Sequence, residues 1–118
     1  MTSDPTAAFF DGLAERGHEP LLEYTSGTVR FELTNGKRTE RWLVSIDKGD
    51  IAVSRRKGTA DCTLRAPRDV FDSVVSGETN ATAAVLRGAI VLEGNWELLV
   101  VFQRLFPGPP AADGRSGR

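Results

Sequence analysis

Two short turns constrain this chain more than any other feature. Residues 27–34 alternate, with Val29, Phe31 and Leu33 on one face and Arg30 and Glu32 on the other. Residues 39–47 alternate again, and Trp42, Val44 and Ile46 share a face. Between them stands Asn35-Gly36, the strongest short-range hairpin signal, because a type I′ turn needs positive φ at both central residues. That turn predicts Val29 opposite Trp42. A second turn over 47–50 leads into a third strand, 51–54, and sets Ile46 opposite Ile51 and Val44 opposite Val53. A slip of one residue would turn every side chain to the other face, so the agreement of three apolar faces is a strong constraint. The chain must contain an antiparallel meander with one dry face and one wet face.

The dry face needs a cover, and the remaining segments supply it. Asp4 and Pro5 suit the start of a first helix that Gly17 ends, with Ala8, Phe9, Leu13 and Ala14 on one side. The connection 18–26 is broken by Pro20 and pinned by Leu21, Leu22 and Tyr24. After a basic loop, 55–59, residues 60–66 read as a fourth strand with Cys62, Leu64 and Ala66 inward. Pro67 opens a helix whose apolar stripe is Val70, Phe71, Val74 and Val75. Asn80 can cap a second, short helix through Arg87, with Ala84, Val85 and Leu86 on its buried side. A fifth strand over 89–93 follows. The expected architecture is α+β: a five-stranded, mostly antiparallel sheet with helices on one face.

The stretch 95–106 closes the domain and carries more apolar surface than a surface helix needs. Eight of its twelve residues are apolar. On a helical wheel Leu98, Leu99, Val101, Phe102, Leu105 and Phe106 make one broad face, and Trp96 and Val100 fall away from it. The surplus calls for a second wall of core, a partner chain or an apolar ligand. Periodicity alone does not choose among them.

The 118 residues suit one domain, taken as 1–107, followed by a tail over 108–118 that lacks apolar bulk and is expected to be disordered. A net charge of −1 excludes a strong overall field toward nucleic acid or an anionic membrane. One cysteine cannot form an internal disulfide, no apolar run reaches membrane-spanning length, and no basic n-region precedes an apolar one. The expectation is a cytoplasmic protein.

Reactive chemistry is hard to assemble from these residues. His18, the single histidine, sits between a helix end and Pro20 and reads as a solvated loop residue. Cys62 lies on an inward strand face, where it packs as a small apolar residue. One Cys and one His do not make a zinc site, and no phosphate-binding glycine loop is present. Arg55, Arg56 and Lys57 read as a solvated turn, and the sheet's aromatics share its dry face, which argues against RNA binding. No cofactor, metal or catalytic residue is expected. What remains is an apolar set able to line one space between sheet and helices: Phe31, Trp42, Val44, Phe71, Val74, Val75, Leu86, Trp96, Leu99, Val100 and Phe102, with Ile90 and Leu92 beside them. Filling that space as ordinary core is the simplest reading of composition.

The run GETNATAAVLRGAIVLEGN, residues 77–95, resembles the SCP-2 sterol carrier family. That family shows a glycine, a short helix, a second glycine, an alternating strand, then glycine followed by Asp or Asn. Gly77, Ala84, Gly88, Ile90, Leu92, Gly94 and Asn95 stand in matching places, and ADCTLRAPRDVFDSVVSG before them looks like the family's strand and helix. The resemblance implies an apolar tunnel between sheet and helices that takes a sterol, fatty acid or fatty acyl-CoA without covalent chemistry. The residues of the apolar set would then be its lipid-binding lining. The expected function is non-catalytic lipid binding or intracellular transfer. The chain ends Ser116-Gly117-Arg118, unlike members that carry a peroxisomal signal, and its Ala-, Gly- and Arg-rich composition points to a bacterial source. The rival expectation is an accessory or structural domain that uses the C-terminal helix as a homodimer or partner interface, with no ligand and no stable membrane insertion.

Overall fold

The structure, a computed structural model, describes residues 4–106, apart from the side chains of Trp96, Leu99 and Gln103. The tail 108–118 lies outside the described residues. The order is α1 (Pro5–Arg16), β1 (Ser26–Asn35), β2 (Arg38–Asp47), β3 (Asp50–Ser54), β4 (Cys62–Pro67), α2 (Arg68–Val75), α3 (Ala81–Leu86), β5 (Val91–Gly94) and α4 (Trp96–Phe102). Short 3₁₀ turns occupy Pro20–Leu22 and Gln103–Leu105. The strands form one sheet in the order β3-β2-β1-β4-β5.

The sheet is mixed: β1 pairs parallel with β4, and the other pairings are antiparallel. Antiparallel neighbours need only a tight turn, whereas β3 and β4 lie on opposite sides of the β2–β1 pair. The chain must therefore cross the sheet between them. The crossing runs over the wet face, where Arg30 Nη1 donates to Gly58 O at 2.9 Å. On the same face Glu32 draws in Arg30 (3.2 Å), Arg41 (3.6 Å) and Arg65 (2.8 Å).

The first hairpin is two residues out of the expected register. Phe31 faces Trp42 and Val29 faces Val44, because Asn35 stays in the ladder opposite Arg38 and the turn is made by Gly36 and Lys37. Of these two only Gly36 has positive φ (67°), the pattern of a type II′ turn. A shift of two preserves every face, so the dry side survives intact. The type I′ geometry occurs instead at the second turn, where Lys48 and Gly49 have φ of 52° and 89°. There the expected pairs Ile46–Ile51 and Val44–Val53 are observed.

Helices α1, α2 and α4 pack on the dry face. Asp4 Oδ1 accepts the Ala7 N–H at 3.0 Å and caps α1. The buried side of α1 is Thr6, Phe10 and Leu13 rather than Ala8 and Ala14, which are exposed. Positions 6, 10 and 13 share a stripe, and Phe10 supplies far more surface to bury than an alanine. The connection after α1 is pinned by Leu22 alone of the three expected residues; Leu21 and Tyr24 are exposed. It is also stitched to the β3 hairpin by Glu19 N–H to Gly49 O and Ile51 N–H to Gly17 O, both 2.8 Å. His18 is not merely solvated, since its Nδ1 lies 2.8 Å from an Asp50 carboxylate oxygen.

Candidate functional site

The sequence places two kinds of apolar surface under the helices, and the structure separates them. One is a filled aromatic core. Phe10 stacks on Trp42 (centroids 4.7 Å) and on Phe71 (5.8 Å), while Phe31 meets Phe10, Phe71 and Phe102 at 5.0, 5.6 and 5.4 Å. Phe31, Val44, Phe71, Val74 and Phe102 are fully buried here, and Trp42 nearly so. The guanidinium of Arg55 covers the Trp42 ring at 4.1 Å. Val75 packs against this core half-buried.

The other is a small cavity between β4, β5, α3 and α4. Its walls are Leu64, Ala81, Val85, Ile90, Leu92, Val100 and Phe106, all apolar, and its volume is about 40 Å³. The sequence brings these residues together for simple reasons. Leu64 and Leu92 are cross-strand partners on the dry face of β4 and β5. Ala81 and Val85 are four apart on α3, one above the other. The Asn80 side chain accepts from the Ala83 N–H at 3.1 Å and fixes where α3 starts. Val100 is 45% exposed, so this wall of the cavity is also outer surface of α4.

Of the described residues expected to line the space, Val100 is a wall of this cavity, as are Ile90 and Leu92 beside it. Leu86 departs most: it is 82% exposed. Ala84 is the fully buried residue of α3, and two further positions turn a side chain to the far side of the helix. Trp96 and Leu99 belong to the side chains outside the description. The walls that sequence reasoning missed are Leu64, Ala81, Val85 and Phe106. Leu64 was legible as an inward strand position and Phe106 as part of the broad helical face. Nothing in the spacing of Ala81 and Val85 separates cavity wall from ordinary core.

The polar groups around Arg68 pair with one another. A wider groove of about 830 Å³ lies between the first turn and the starts of α1 and α2, lined by residues that include Asp4, Glu40, Arg68, Asp69 and Asp72. Arg68 forms ion pairs with Asp4 and Glu40 and reaches Asp72 at 3.4 Å. Thr6 Oγ1 donates to Asp72 at 2.5 Å. The hydrogen bond from Arg68, helped by the Ala7 N–H, holds the Asp4 carboxyl below its ordinary range. Burial pushes the Cys62 thiol up, and Asp61 pushes it further, which disfavours the thiolate needed for nucleophilic work. Among the described residues no group of three His, Cys, Asp or Glu could hold a metal ion. No described helix is long and apolar enough to cross a membrane.

Comparison with known proteins agrees with this fold. Sterol carrier protein 2 from Yarrowia lipolytica in its apo form superposes with a TM-score of 0.70 at 23% identity, covering 89% of this chain and 92% of that one. Sterol carrier protein domain 2 of Helicoverpa armigera gives a TM-score of 0.70 at 22% identity, covering 86% and 84%. These likenesses establish the fold. A probable cell division protein WhiA from Kocuria rhizophila is 33% identical over 100 residues, 81% of this chain and 28% of that protein. This chain thus spans only about a quarter of the length of the curated relatives it matches. Residues 4–107 match the family description as one continuous unit, and the chain belongs to the SCP-2 sterol transfer family, whose domains bind or transfer lipids.

Proposed function

We propose that this domain binds one apolar lipid without covalent chemistry and carries it in the cytoplasm, its site being the seam between α3 and α4. The observation that carries the reading is a cavity whose seven walls among the described residues are all apolar, one of them, Val100, thin enough to be outer surface as well. Each buried methylene contributes roughly 0.8 kcal/mol. About six or seven of them offset the lower estimates of association cost, so no polar group at a unique position is needed. Ligand pockets commonly measure about 300–1,000 Å³. A cavity of about 40 Å³ is therefore a closed form, and the lipid must part α4 from its neighbours. The contacts of α4 suit that motion. Asn95 N–H donates to Asp61 O at 2.7 Å and hinges its start, while Leu98 and Phe102 hold its body by apolar packing.

The test is titration of delipidated protein with a fluorescent fatty acid, beside native mass spectrometry of freshly purified protein. One saturable site of micromolar or tighter affinity, and a lipid-sized mass increment on a monomer, are expected. No saturable binding across fatty acids, acyl-CoAs and sterols would end the carrier reading. The exposure of Val100 supports one alternative, an accessory domain that docks a partner or a second copy through α4. A lipid-free dimer on a sizing column, lost on Leu105→Glu, would favour it.

A further inference from the structure

We infer that Phe106 is a plug standing where the buried end of the ligand goes, and that the ligand is a flexible linear acyl chain rather than a rigid fused-ring lipid. This rests on the lipid-binding reading and deepens it. Phe106 touches both apolar regions. Its ring is a wall of the small cavity, beside Leu64, Val85, Ile90 and Val100. On its other side it meets Phe9 at 5.3 Å, Phe102 at 5.7 Å and Phe71 at 5.8 Å. The ring is the partition between the cavity and the aromatic core.

Its attachment is weak for a partition. Phe106 follows a single 3₁₀ turn, Gln103–Leu105, and is half-buried, whereas Phe102 one turn earlier is completely buried. Of the apolar groups bounding the cavity, those on β4 and β5 are held by ladder hydrogen bonds. Swinging the Phe106 ring out breaks no strand pairing. The space the ring vacates, beside Phe9, Phe71 and Phe102, is a slot that adjoins the cavity. That slot has the cross-section of one phenyl ring, which a polymethylene chain can thread. A sterol nucleus of four fused rings is wider than the space one phenyl ring leaves.

The plug competes with the ligand, so trimming it should tighten binding. Removing a half-buried phenyl ring from the slot should improve acyl-chain affinity by about tenfold. The experiment compares the full chain with Phe106→Ala, Phe106→Leu and Phe106→Trp, all delipidated, titrated with a fluorescent C16 fatty acid and with a fluorescent sterol. Circular dichroism checks each fold. The expected order of fatty-acid affinity is Ala, then Leu, then wild type, then Trp, with the sterol weaker than the fatty acid throughout. Leu keeps an apolar cover, so the comparison stands if the Ala variant does not fold. If wild type binds fatty acid and both smaller side chains bind it equally or more weakly, Phe106 is a contact or a spectator and the plug is wrong. A sterol binding wild type as tightly as the fatty acid overturns the ligand class. If no variant binds either probe, the lipid-binding reading itself fails, and the plug with it.

Discussion

Replacing Gly94 with alanine should destabilise the domain far more than the same change at Gly88, although both glycines have positive φ, 90° and 81°. Each substitution places an L side chain in the left-handed region at roughly 1–2 kcal/mol, reduced by about 0.4–1 kcal/mol through the less flexible unfolded chain. Around Gly88 nothing lies within 4 Å of the new β-carbon, so the net loss there is about 1 kcal/mol. At Gly94 the β-carbon would collide with the carbonyl oxygen of Asp61 and come within 3.2 Å of Cys62 Cα. Both neighbours are backbone and cannot rotate away. Opening the gap breaks the 2.7 Å hydrogen bond from Asn95 N–H to Asp61 O. It also disturbs Asp61, whose carboxylate receives the Thr28 N–H at 2.9 Å. A lost hydrogen bond at about 1 kcal/mol and overpacking at about 1–3 kcal/mol bring the total to roughly 3–5 kcal/mol. Urea unfolding followed by circular dichroism measures the difference. With a slope near 1.5 kcal/mol per molar urea, Gly88→Ala should lower the midpoint by about 0.7 M and Gly94→Ala by about 2–3 M. Equal midpoint shifts would show that close approach of β5 to β4 is not what requires glycine at 94.

Further outcomes concern charge and the thiol. Burial by itself would raise the Glu32 carboxyl, and the guanidiniums of Arg65, Arg30 and Arg41 outweigh it and hold it below its ordinary value. Asp4 is depressed by Arg68. A depressed folded value means stability that is present above the unfolded carboxylate range and lost as the pH falls through the folded one. The urea midpoint should therefore hold level above about pH 5 and drop below about pH 4. Glu32→Gln should flatten part of that drop, and an unchanged acid slope would remove Glu32 from the account. Cys62, 1% exposed, should react with a disulfide reagent only as fast as the domain unfolds. A rapid native-state reaction would contradict its burial on β4.

Local periodicity and the turn residues carried much of this protein. Alternation in 27–34 and 39–47 decided which side chains face the helices, and the observed register, two residues from the expected one, left those faces unchanged. Period-two patterning is blind to a shift of two, so face was legible and register was not. Caps were legible because they are local: Asp4 and Asn80 each bond an N–H three residues on. The parallel pairing of β1 with β4 was not legible, since no turn residue signals a partner 33 positions away.

The sequence by itself determined the two-faced sheet and the helical cover. Tertiary packing alone decided which apolar side chains fill space and which bound it. Phe31, Phe71 and Phe102 are as hydrophobic as Phe106, yet they are interlocked and fully buried while Phe106 stands at the edge of a void. Hydrophobicity is a property of one side chain. A cavity is a shortfall of volume among residues drawn from β4, α3, β5 and α4, and it exists only once those elements have met.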